Sequence, residues 1–432
     1  MISWKYCLFC IFAPLVLSAQ ELSLEEAFQI ALQNNWNTKL LQNNLQIARN
    51  NNFAGNAGKL PRITLNVADN FQLFGISQRL SNGTEINRNG AISNNLNANL
   101  RADWQVFNGG RVWALQERLQ IAEKNSEIAL KNQKQQLFAQ VAGAYLEVAR
   151  QKQNLKLQQN ILALNQERLK LVQKRVEVGT ANQTDLYLAQ LDVSNQEQII
   201  RSQELAIRQA KINLNLLLAQ PAETPIEIKE NISLKENLQI ESLKNNLEQN
   251  PQLEVARNNL RNSLTFEKEA KSQKMPSLTL SAGYSYNRNN STAGFLLLNQ
   301  NYGAFVGFNL SVPLYNGNVF DRQYQTAQLQ TKSQELEYNR IKQELQTELE
   351  RQWQNYLLAK EQYQIEIINA QNTQEYLKIM EKRFELGQAT IIEIREAQRI
   401  AEVSENRKIQ SFFNVKLAEI QLFLVAGVIE VP

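Results

Sequence analysis

The chain contains two copies of one long sequence pattern, and this repetition limits the folds available to it. The stretch "VFNGG" at Val106–Gly110 recurs as "LYNGN" at Leu314–Asn318, 208 positions later. The same offset relates "KRVEVG" (Lys174–Gly179) to "KRFELG" (Lys382–Gly387), so it holds without a gap over more than 70 residues. Because solenoid repeats are only about 20–50 residues long, this period indicates two copies of a domain-sized unit.

Nearer the N-terminus the offset between the copies becomes 215. The stretch "LPRITL" (Leu60–Leu65) matches "MPSLTL" (Met275–Leu280), and "ALQNN" (Ala31–Asn35) matches "NLEQN" (Asn246–Asn250). The first copy therefore has seven extra residues between Pro61 and Asn108. Pro221 and Pro225 interrupt the pattern between the copies. We predict a first repeat over 20–220, a linker over 221–235 and a second repeat over 236–432.

The first 19 residues predict a secretory signal peptide. They contain one Lys, an apolar run from Cys7 to Leu17 and a small-residue ending, Ser18-Ala19. A short membrane anchor is the alternative, but the run is shorter than the roughly 20 residues of a spanning helix. Both cysteines, Cys7 and Cys10, lie in this segment. The mature chain is therefore expected to have neither a disulfide nor a thiol.

Composition narrows the possible functions. The 432 residues are 43% apolar and 20% charged, which is typical of an ordered protein, and the net charge of +4 is not gathered into a basic block. We therefore predict no nucleic-acid partner. The chain has no His, which together with the cysteine positions excludes most metal sites and His-dependent nucleophiles. We predict no catalytic residue, metal or cofactor, with a carboxylate-only hydrolase as the remaining enzymatic alternative.

Each copy contains two segments in which apolar and polar residues alternate, as in strands with one apolar face. The predicted strands span about 62–73, 95–107, 277–288 and 303–315. They exceed the roughly 9–11 residues that a tilted barrel strand needs to cross a bilayer, although a half-buried hairpin in a soluble sandwich shows the same alternation. The sequence beyond the signal peptide has no apolar run of 18 residues, so an exported chain that crosses a membrane is expected to do so as a β-barrel. One predicted apolar face contains Leu96, Ala98, Leu100, Ala102, Trp104 and Val106, opposite Asn97, Asn99, Arg101 and Asp103.

Long helices are predicted after each pair of strands. A capping-box pattern, Ser23 with Glu26, predicts a first helix running toward Gly58. Apolar residues then recur every seven positions, which is typical of coiled-coil packing. The first such series is Val141, Val148, Leu155, Leu162, Leu169 and Val176. The long helices are predicted at about 111–178, 182–219, 319–386 and 391–424.

Two aromatic-Asn-Gly motifs lie where the period of two ends and the helical period begins. Asn and Gly tolerate the backbone angles of such a turn, so both motifs are predicted to be corners between strand and helix. The corner residues are Phe107, Asn108 and Gly109 in the first copy and Tyr315, Asn316 and Gly317 in the second. The fold class that follows is α+β and mostly α, with two tandem repeats of a β-hairpin and long coiled-coil helices.

The whole mature chain resembles the TolC family of bacterial outer-membrane efflux proteins. The resemblance rests on the Asn-Pro of "LEQNPQLEVA" (Leu247–Ala256), the two corners, the glycines of "VEVGT" and "FELGQ", and the element order written twice. It implies a homotrimer that forms a 12-stranded barrel in the outer membrane of a Gram-negative bacterium, continued by a helical tunnel in the periplasm. The strands agree, because four cannot close a barrel and the smallest barrels have about eight, but they do not distinguish two chains from three.

The resemblance also implies a function. The chain would be the exit duct of a tripartite efflux pump or a type I secretion system, and its partners would be a periplasmic adaptor, an inner-membrane pump and outer-membrane lipid. The alternative is a periplasmic or extracellular coiled-coil structural protein, in which the hairpins are soluble caps.

Site residues are implied by matching positions in the family. Four residues correspond to a polar and acidic gate ring: Thr184, Asp185, Glu393 and Glu396. Six correspond to helix tips that meet the adaptor: Val178, Gly179, Thr180, Leu386, Gly387 and Gln388. As alternatives, Thr390 and Glu393 form a capping-box pair and the glycines are plain helix caps. The chain departs from the family at Phe384 and Ala389, where some members have a Tyr and an Arg that hold the gate closed.

Overall fold

A computed structural model describes residues 21–235 and 237–429, so the predicted signal peptide lies outside the described residues. Two helices, two strands and two long helices occur twice in succession, and the chain is mostly helical. The elements are α1 (Leu24–Asn34), α2 (Trp36–Asn51), β1 (Arg62–Arg79), β2 (Glu85–Asn108), α3 (Arg111–Glu177), α4 (Gln183–Leu217), α5 (Ile240–Asn246), a 3-10 turn (Leu247–Gln249), α6 (Pro251–Ser272), β3 (Ser277–Ser291), β4 (Leu298–Ser311), α7 (Val319–Glu385) and α8 (Ile391–Ala426).

The chain divides into two compact units. The helical unit contains the residues up to Leu40, Lys131–Asn250 and those from Glu344 onward. The sheet unit contains Leu41–Leu130 and Pro251–Gln343. The boundaries between them fall within α2, α3 and α7 and between Asn250 and Pro251, and each unit is described by itself below.

The first predicted helix is two helices, because the chain breaks at Asn35. The Asn35 backbone is extended, with ψ of 126°, and its side-chain Oδ1 accepts a hydrogen bond from the backbone N–H of Thr38 at 3.1 Å. The side chain of Asn35 thus caps α2 at the point where α1 ends. Asn250 occupies the equivalent place in the second repeat, with ψ of 130°, directly before α6.

The four strands form one antiparallel sheet in the order β1-β2-β3-β4. Its register sorts side chains by face, since paired residues point to the same side. One cross-strand row is Leu65, Leu100, Tyr284 and Ala304, and the adjacent row is Asn66, Asn99, Ser285 and Gly303. The predicted faces of β2 agree with this register. The apolar face of the sheet is exposed within the chain.

The strand ends differ from the predicted ones. Every strand continues further toward its hairpin turn than predicted, because backbone pairing persists through polar residues that break the apolar alternation. At the other end, β4 stops at Ser311 instead of about residue 315. Pro313 explains this, since proline has no N–H to donate to a strand ladder. Tyr315, Asn316 and Gly317 therefore lie in a longer connection between β4 and α7.

In the helical unit, contacts between side chains give the lateral order α4-α3-α8-α7. Gln196 of α4 donates a hydrogen bond to Gln158 of α3 at 2.6 Å, and Gln158 donates one to Glu402 of α8 at 3.2 Å. Phe412 of α8 packs edge-on against Tyr363 of α7, with ring centroids 5.5 Å apart. Over the part of the unit that these contacts span, α4 and α7 are therefore the two outer helices.

The core of the helical unit includes the first two residues of the predicted seven-residue series, while the other four are only partly buried. Val141 and Val148 of α3 are fully buried, together with Leu214 of α4 and Phe413 of α8. The predicted linker also contributes: Ile228 is buried and pairs with Leu22 in a parallel bridge. Burial of these apolar side chains is the main stabilising term of the unit.

The sequence predicted no membrane-spanning helix beyond the signal peptide, but one helix has the length and composition of such a helix. Among the described residues, α8 alone is long and apolar enough by composition to cross a membrane. Of its most apolar 18-residue window, 44% is buried inside the chain, and Phe413, Val415 and Leu422 lie in the core. The core helix of a folded protein has the same composition, so the apolar side of α8 already has a packing role.

Candidate functional site

The predicted helix tips have the same backbone structure in both repeats. Gly179 and Gly387 have φ of +78° and +73°, in the left-handed region that favours glycine. The backbone N–H of Thr180 donates to the carbonyl of Arg175 at 2.7 Å, and that of Gln388 donates to Arg383 at 2.8 Å. Both turns are therefore Schellman caps, which satisfy the last carbonyls of α3 and α7.

The helices that follow these turns also begin alike. Asn182 accepts a hydrogen bond from the backbone N–H of Asp185 at 2.8 Å, and Thr390 accepts one from that of Glu393 at 3.3 Å. In the second repeat the Glu393 carboxylate returns the contact, accepting from the Thr390 backbone N–H at 2.7 Å. Each tip is thus a short turn closed by local bonds on both sides.

Both tips expose one large apolar side chain. Val178 is 72% exposed and Leu386 is 71% exposed, while Thr180 and Gln388 beside them are also exposed. A fixed turn with an exposed apolar residue and no side chain on its glycine can contact another backbone closely.

Beneath the tips, an apolar cluster holds the two helix pairs together. It contains Val172 of α3, Ala189 of α4, Phe384 of α7 and Ile391 of α8, all buried. The Phe384 ring thus serves the packing of this cluster. Ala389 packs against its edge.

Arg175 connects the end of α3 to the end of α7. Its guanidinium Nη2 donates hydrogen bonds to the backbone carbonyls of Phe384 at 2.5 Å and Glu385 at 3.0 Å. The guanidinium carbon also lies 4.9 Å from the centroid of the Phe384 ring. A cation at a helix C-terminus is favourable, so Arg175 of the first repeat stabilises the helix end of the second.

A second polar link lies further along the same helices. Arg168 of α3 and Arg395 of α8 both bind the Asp192 carboxylate of α4, at 3.0 and 2.9 Å. The Arg168 side chain is buried, and burial lowers its pKa, while Asp192 opposes that shift. Arg168 also donates to Gln398 and Asn165. Three helices from both repeats therefore meet at one carboxylate.

Three of the predicted gate residues, Thr184, Asp185 and Glu393, lie in the first turns of α4 and α8, and Glu396 lies one turn further along α8. Asp185 and Glu393 occupy equivalent positions, and hydrogen bonds from the Thr390 backbone and side chain lower the pKa of Glu393. Glu396 pairs with Arg399 at 2.6 Å, and that hydrogen bond lowers the pKa of Glu396. Thr184 is exposed. Both glutamates are exposed and charged at neutral pH, and both already have a partner: Thr390 at the N-cap of α8 for Glu393, and Arg399 within α8 for Glu396.

The two predicted corners differ in packing. Gly109 and Gly317 have nearly equal φ values of +66° and +67°. A Cβ on Gly109 would lie 2.6 Å from the carbonyl oxygen of Ser272, whereas a Cβ on Gly317 would contact nothing within 4 Å. The first corner therefore needs glycine for space as well as for backbone angle.

Arg168, Arg175, Asp192 and Arg395 were not among the site residues predicted from the sequence. Arg175 does have a repeat partner, since it matches Arg383 at the 208 offset. Arg383 instead donates to Gln388 at the end of its own helix, at 3.3 Å. The repeated motif marked a basic helix end, but it did not predict a contact between the repeats.

The chain thus contains a sheet that exposes an apolar face and long helices that end in matched turns. The sequence model of the outer membrane efflux protein family matches residues 27–220 and 243–428, one segment in each repeat. The chain belongs to the outer membrane efflux protein family. Its function is that of an efflux exit duct, located in the outer membrane with its tunnel in the periplasm.

Solved structures support the fold. The chain is similar to the outer membrane protein VceC of Vibrio cholerae, with 18% identity and a TM-score of 0.75 over 94% of this chain and 96% of that one. It is similar to the Campylobacter jejuni CmeC channel, with 14% identity, a TM-score of 0.76 and coverage of 94% and 85%. It is also similar to the open state of the Neisseria gonorrhoeae MtrE channel, with 17% identity and a TM-score of 0.72 over 94% of this chain and 88% of that one. No curated protein sequence is significantly similar to this chain.

Proposed function

We propose that three copies of the chain assemble into one duct, in which their sheets close a 12-stranded barrel and their helices form a tunnel. The duct receives substrate from an inner-membrane transporter through a periplasmic adaptor and releases it outside. It has no catalytic step and needs no cofactor. The energy for transport comes from the transporter.

One observation carries this proposal: the four-stranded sheet has an exposed apolar face, and its two edges, β1 and β4, are unpaired among the described residues. A lipid bilayer has no water to satisfy an open edge, so the sheet must close to be stable there. Four strands are too few to close, since about eight are needed. Additional copies of the chain supply strands of the same length and pattern.

The helical unit also has apolar surfaces that further copies of the chain would cover. Its two outer helices, α4 and α7, each present an exposed apolar stripe that has no cover within the described chain. Such stripes at helical spacing are typical of a helix that packs against a further helix. In a closed ring of copies, α7 of one copy faces α4 of the next. The stripes consist of Tyr187, Leu191, Leu205, Ile212 and Leu216 on α4, and of Leu358, Ile365, Ile368, Tyr376 and Ile379 on α7.

The tips are the proposed docking surface for the adaptor. Their support is the shared Schellman geometry, the exposed Val178 and Leu386, and the open space at both glycines, where a Cβ would meet nothing within 4 Å. In the assembled ring, Thr184, Asp185, Glu393 and Glu396 surround the tunnel entrance as the selectivity ring. Charges of one sign around a narrow throat concentrate counter-ions.

Assembly and membrane insertion are tested together. Membranes that contain the full-length protein are washed with high salt and with carbonate, and the pellet is analysed on gels with and without heating. We expect the protein to stay in the pellet and to migrate as a trimer until heated. Release by carbonate as a monomer would contradict the proposal and support a peripheral coiled-coil protein instead.

Docking is tested at the glycines. The pair Gly179→Trp and Gly387→Trp should leave trimers in the outer membrane while abolishing export and cross-linking to the adaptor, because the bulky rings occupy the approach. The pair Gly179→Ala and Gly387→Ala is the matched control and should retain export, at a local cost of about 1 kcal/mol each. Normal export by the Trp variant would mean that the glycines are only helix caps.

A further inference from the structure

The β3–β4 turn exposes four consecutive apolar residues, Phe295–Leu298, here called the apolar corner. They are 72%, 59%, 58% and 53% exposed. A lipid-facing or core-facing strand alternates apolar and polar residues, whereas this run is apolar in all directions. An exposed run of this kind is unfavourable in water unless another surface covers it.

The corner is held in a defined conformation. The Ser291 backbone N–H donates to the Leu297 carbonyl at 2.8 Å, which closes the turn. On the neighbouring strand, Ile92 exchanges hydrogen bonds with Thr292, and the Arg88 guanidinium donates to the Thr292 carbonyl at 2.8 Å. The exposed side chains are thus presented by an anchored turn.

Polar groups separate the corner from the apolar face of the sheet. On that same face, the cross-strand row next to the one that ends at Leu298 contains Asp69, Leu96, Arg288 and Gln300. The Asp69 carboxylate accepts a hydrogen bond from Asn94 at 2.5 Å. A surface that contacts hydrocarbon does not include a carboxylate and a guanidinium. The apolar corner therefore lies beyond the part of the apolar face that would contact hydrocarbon.

Its position points to the occupant. Leu298 is the first residue of β4, and no strand in the described part of the chain pairs with the outer edge of β4. When copies close the sheet, β1 of the next copy runs along that edge. With 18 residues against the 14 of β4, β1 is long enough to continue beside the turn. Phe71 and Leu73 near the distal half of β1 are also apolar and exposed.

We propose that the apolar corner of one copy packs against the distal part of β1 of the neighbouring copy, as a seam beyond the membrane. This rests on the proposed closure of three sheets into a barrel. Burying the corner joins the copies where no lipid supports them. It also protects the open end of the β4 edge, where an unpaired strand could pair with a wrong chain.

Cysteine cross-linking tests this contact. The only native cysteines, Cys7 and Cys10, lie in the predicted signal peptide, so introduced thiols have no competitor. Leu298→Cys is combined in turn with cysteine at Leu65, Phe71, Leu73 and each residue from Ile76 to Arg79, because barrel closure staggers the register. A short bis-maleimide should link chains into dimers and trimers at one or more of the distal positions from Phe71 to Arg79, and a link only at Leu65, near the proximal end of β1, would contradict the contact. Leu298→Cys with Asn290→Cys, neighbours within one sheet row, is the control for thiol reactivity.

A charge substitution tests the same seam. Leu297→Asp should lower the temperature at which trimers dissociate by several degrees, while Asn299→Asp, two residues along, should not. Intact wild-type trimers with no cross-link in the scan and no effect of Leu297→Asp would overturn the seam but leave the duct unaffected. Quenching of a Leu297→Trp variant by brominated lipid in vesicles would also overturn it, with lipid as the occupant. If the wild-type protein forms no trimer, the proposed function itself fails.

Discussion

Arg175 at the end of α3 donates a hydrogen bond to the backbone carbonyl of Phe384 at the end of α7, 2.5 Å away and 209 positions later in the chain. The same guanidinium binds the next carbonyl, of Glu385. This contact ties the tip of the first repeat to the tip of the second.

Removing this link should loosen the tips. Arg175→Ala removes two charge-assisted hydrogen bonds from a partly exposed site, which we expect to cost roughly 1 kcal/mol of local stability. Passive leak through the duct should rise, measured as conductance in planar bilayers. Arg383→Ala is the matched control, because Arg383 bonds only near its own helix end. Equal leak from both variants would assign the effect to helix ends in general.

Replacing Asp192 should lower the free energy of unfolding more than replacing Arg175. Asp192→Asn leaves the buried Arg168 guanidinium without its carboxylate, and breaking a buried pair costs about 3 kcal/mol. The melting temperature of the protein in detergent should fall clearly. Glu396→Gln breaks the exposed pair with Arg399 and should change it little. A stable Asp192→Asn variant would show that Gln398 and Asn165 suffice to hold Arg168.

Two neighbouring residues of β2 test the faces of the sheet. Leu100→Arg places a charge on the apolar face between Leu65 and Tyr284, at an expected cost of roughly 2–4 kcal/mol near the bilayer midplane. Asn99→Arg adds the same charge to the opposite face, between Asn66 and Ser285, and should cost little. The yield of heat-sensitive trimers measures both. Similar losses would mean that the two faces are not lipid and lumen.

The glycines of the two strand-to-helix corners form a matched pair, since Gly109 and Gly317 share one backbone conformation. Gly317→Ala should cost only about 1 kcal/mol, from backbone strain. Gly109→Ala adds a collision with the Ser272 carbonyl, so its trimer yield and melting temperature should fall further. Equal effects would mean that the backbone at Gly109 shifts away easily.

Glu393 allows its two proposed roles to be separated. Glu393→Gln removes the charge but preserves the capping box, whereas Glu393→Ala removes both. If Glu393 belongs to the selectivity ring, both variants should shift the reversal potential toward lower cation selectivity, and the Ala variant should weaken α8 more than the Gln variant. A reversal potential unchanged by either variant would leave Glu393 as a cap alone.

The pH dependence of the same residue follows from its hydrogen bonds. Those from Thr390 lower the pKa of Glu393 from its usual 4.5, so the charged form stabilises the folded state above that value. This contribution is lost as the pH falls through the lower pKa of the folded state. The melting temperature of the wild type should exceed that of Glu393→Gln at neutral pH, and the difference should vanish well below pH 4.5.

Local features of the chain could be predicted because their causes are local. A Gly after a seven-residue series ends a helix at Gly179 and Gly387, and Thr390 with Glu393 begins one, within a few residues in each case. Alternation along β2 gives its two faces for the same reason. The sequence alone also shows the repeat, and the motifs repeated in it carry the resemblance to the family.

The tertiary structure decided which of these local pieces touch. Arg175 meets Phe384, and Asp192 gathers Arg168 and Arg395, although nothing near those residues in the chain distinguishes them from other polar residues of a long helix. Gly109 is crowded while Gly317 is open, because only the first lies against the end of another helix. Such contacts join residues far apart in sequence, and the spacing of side chains along one element carries no information about what packs across from it.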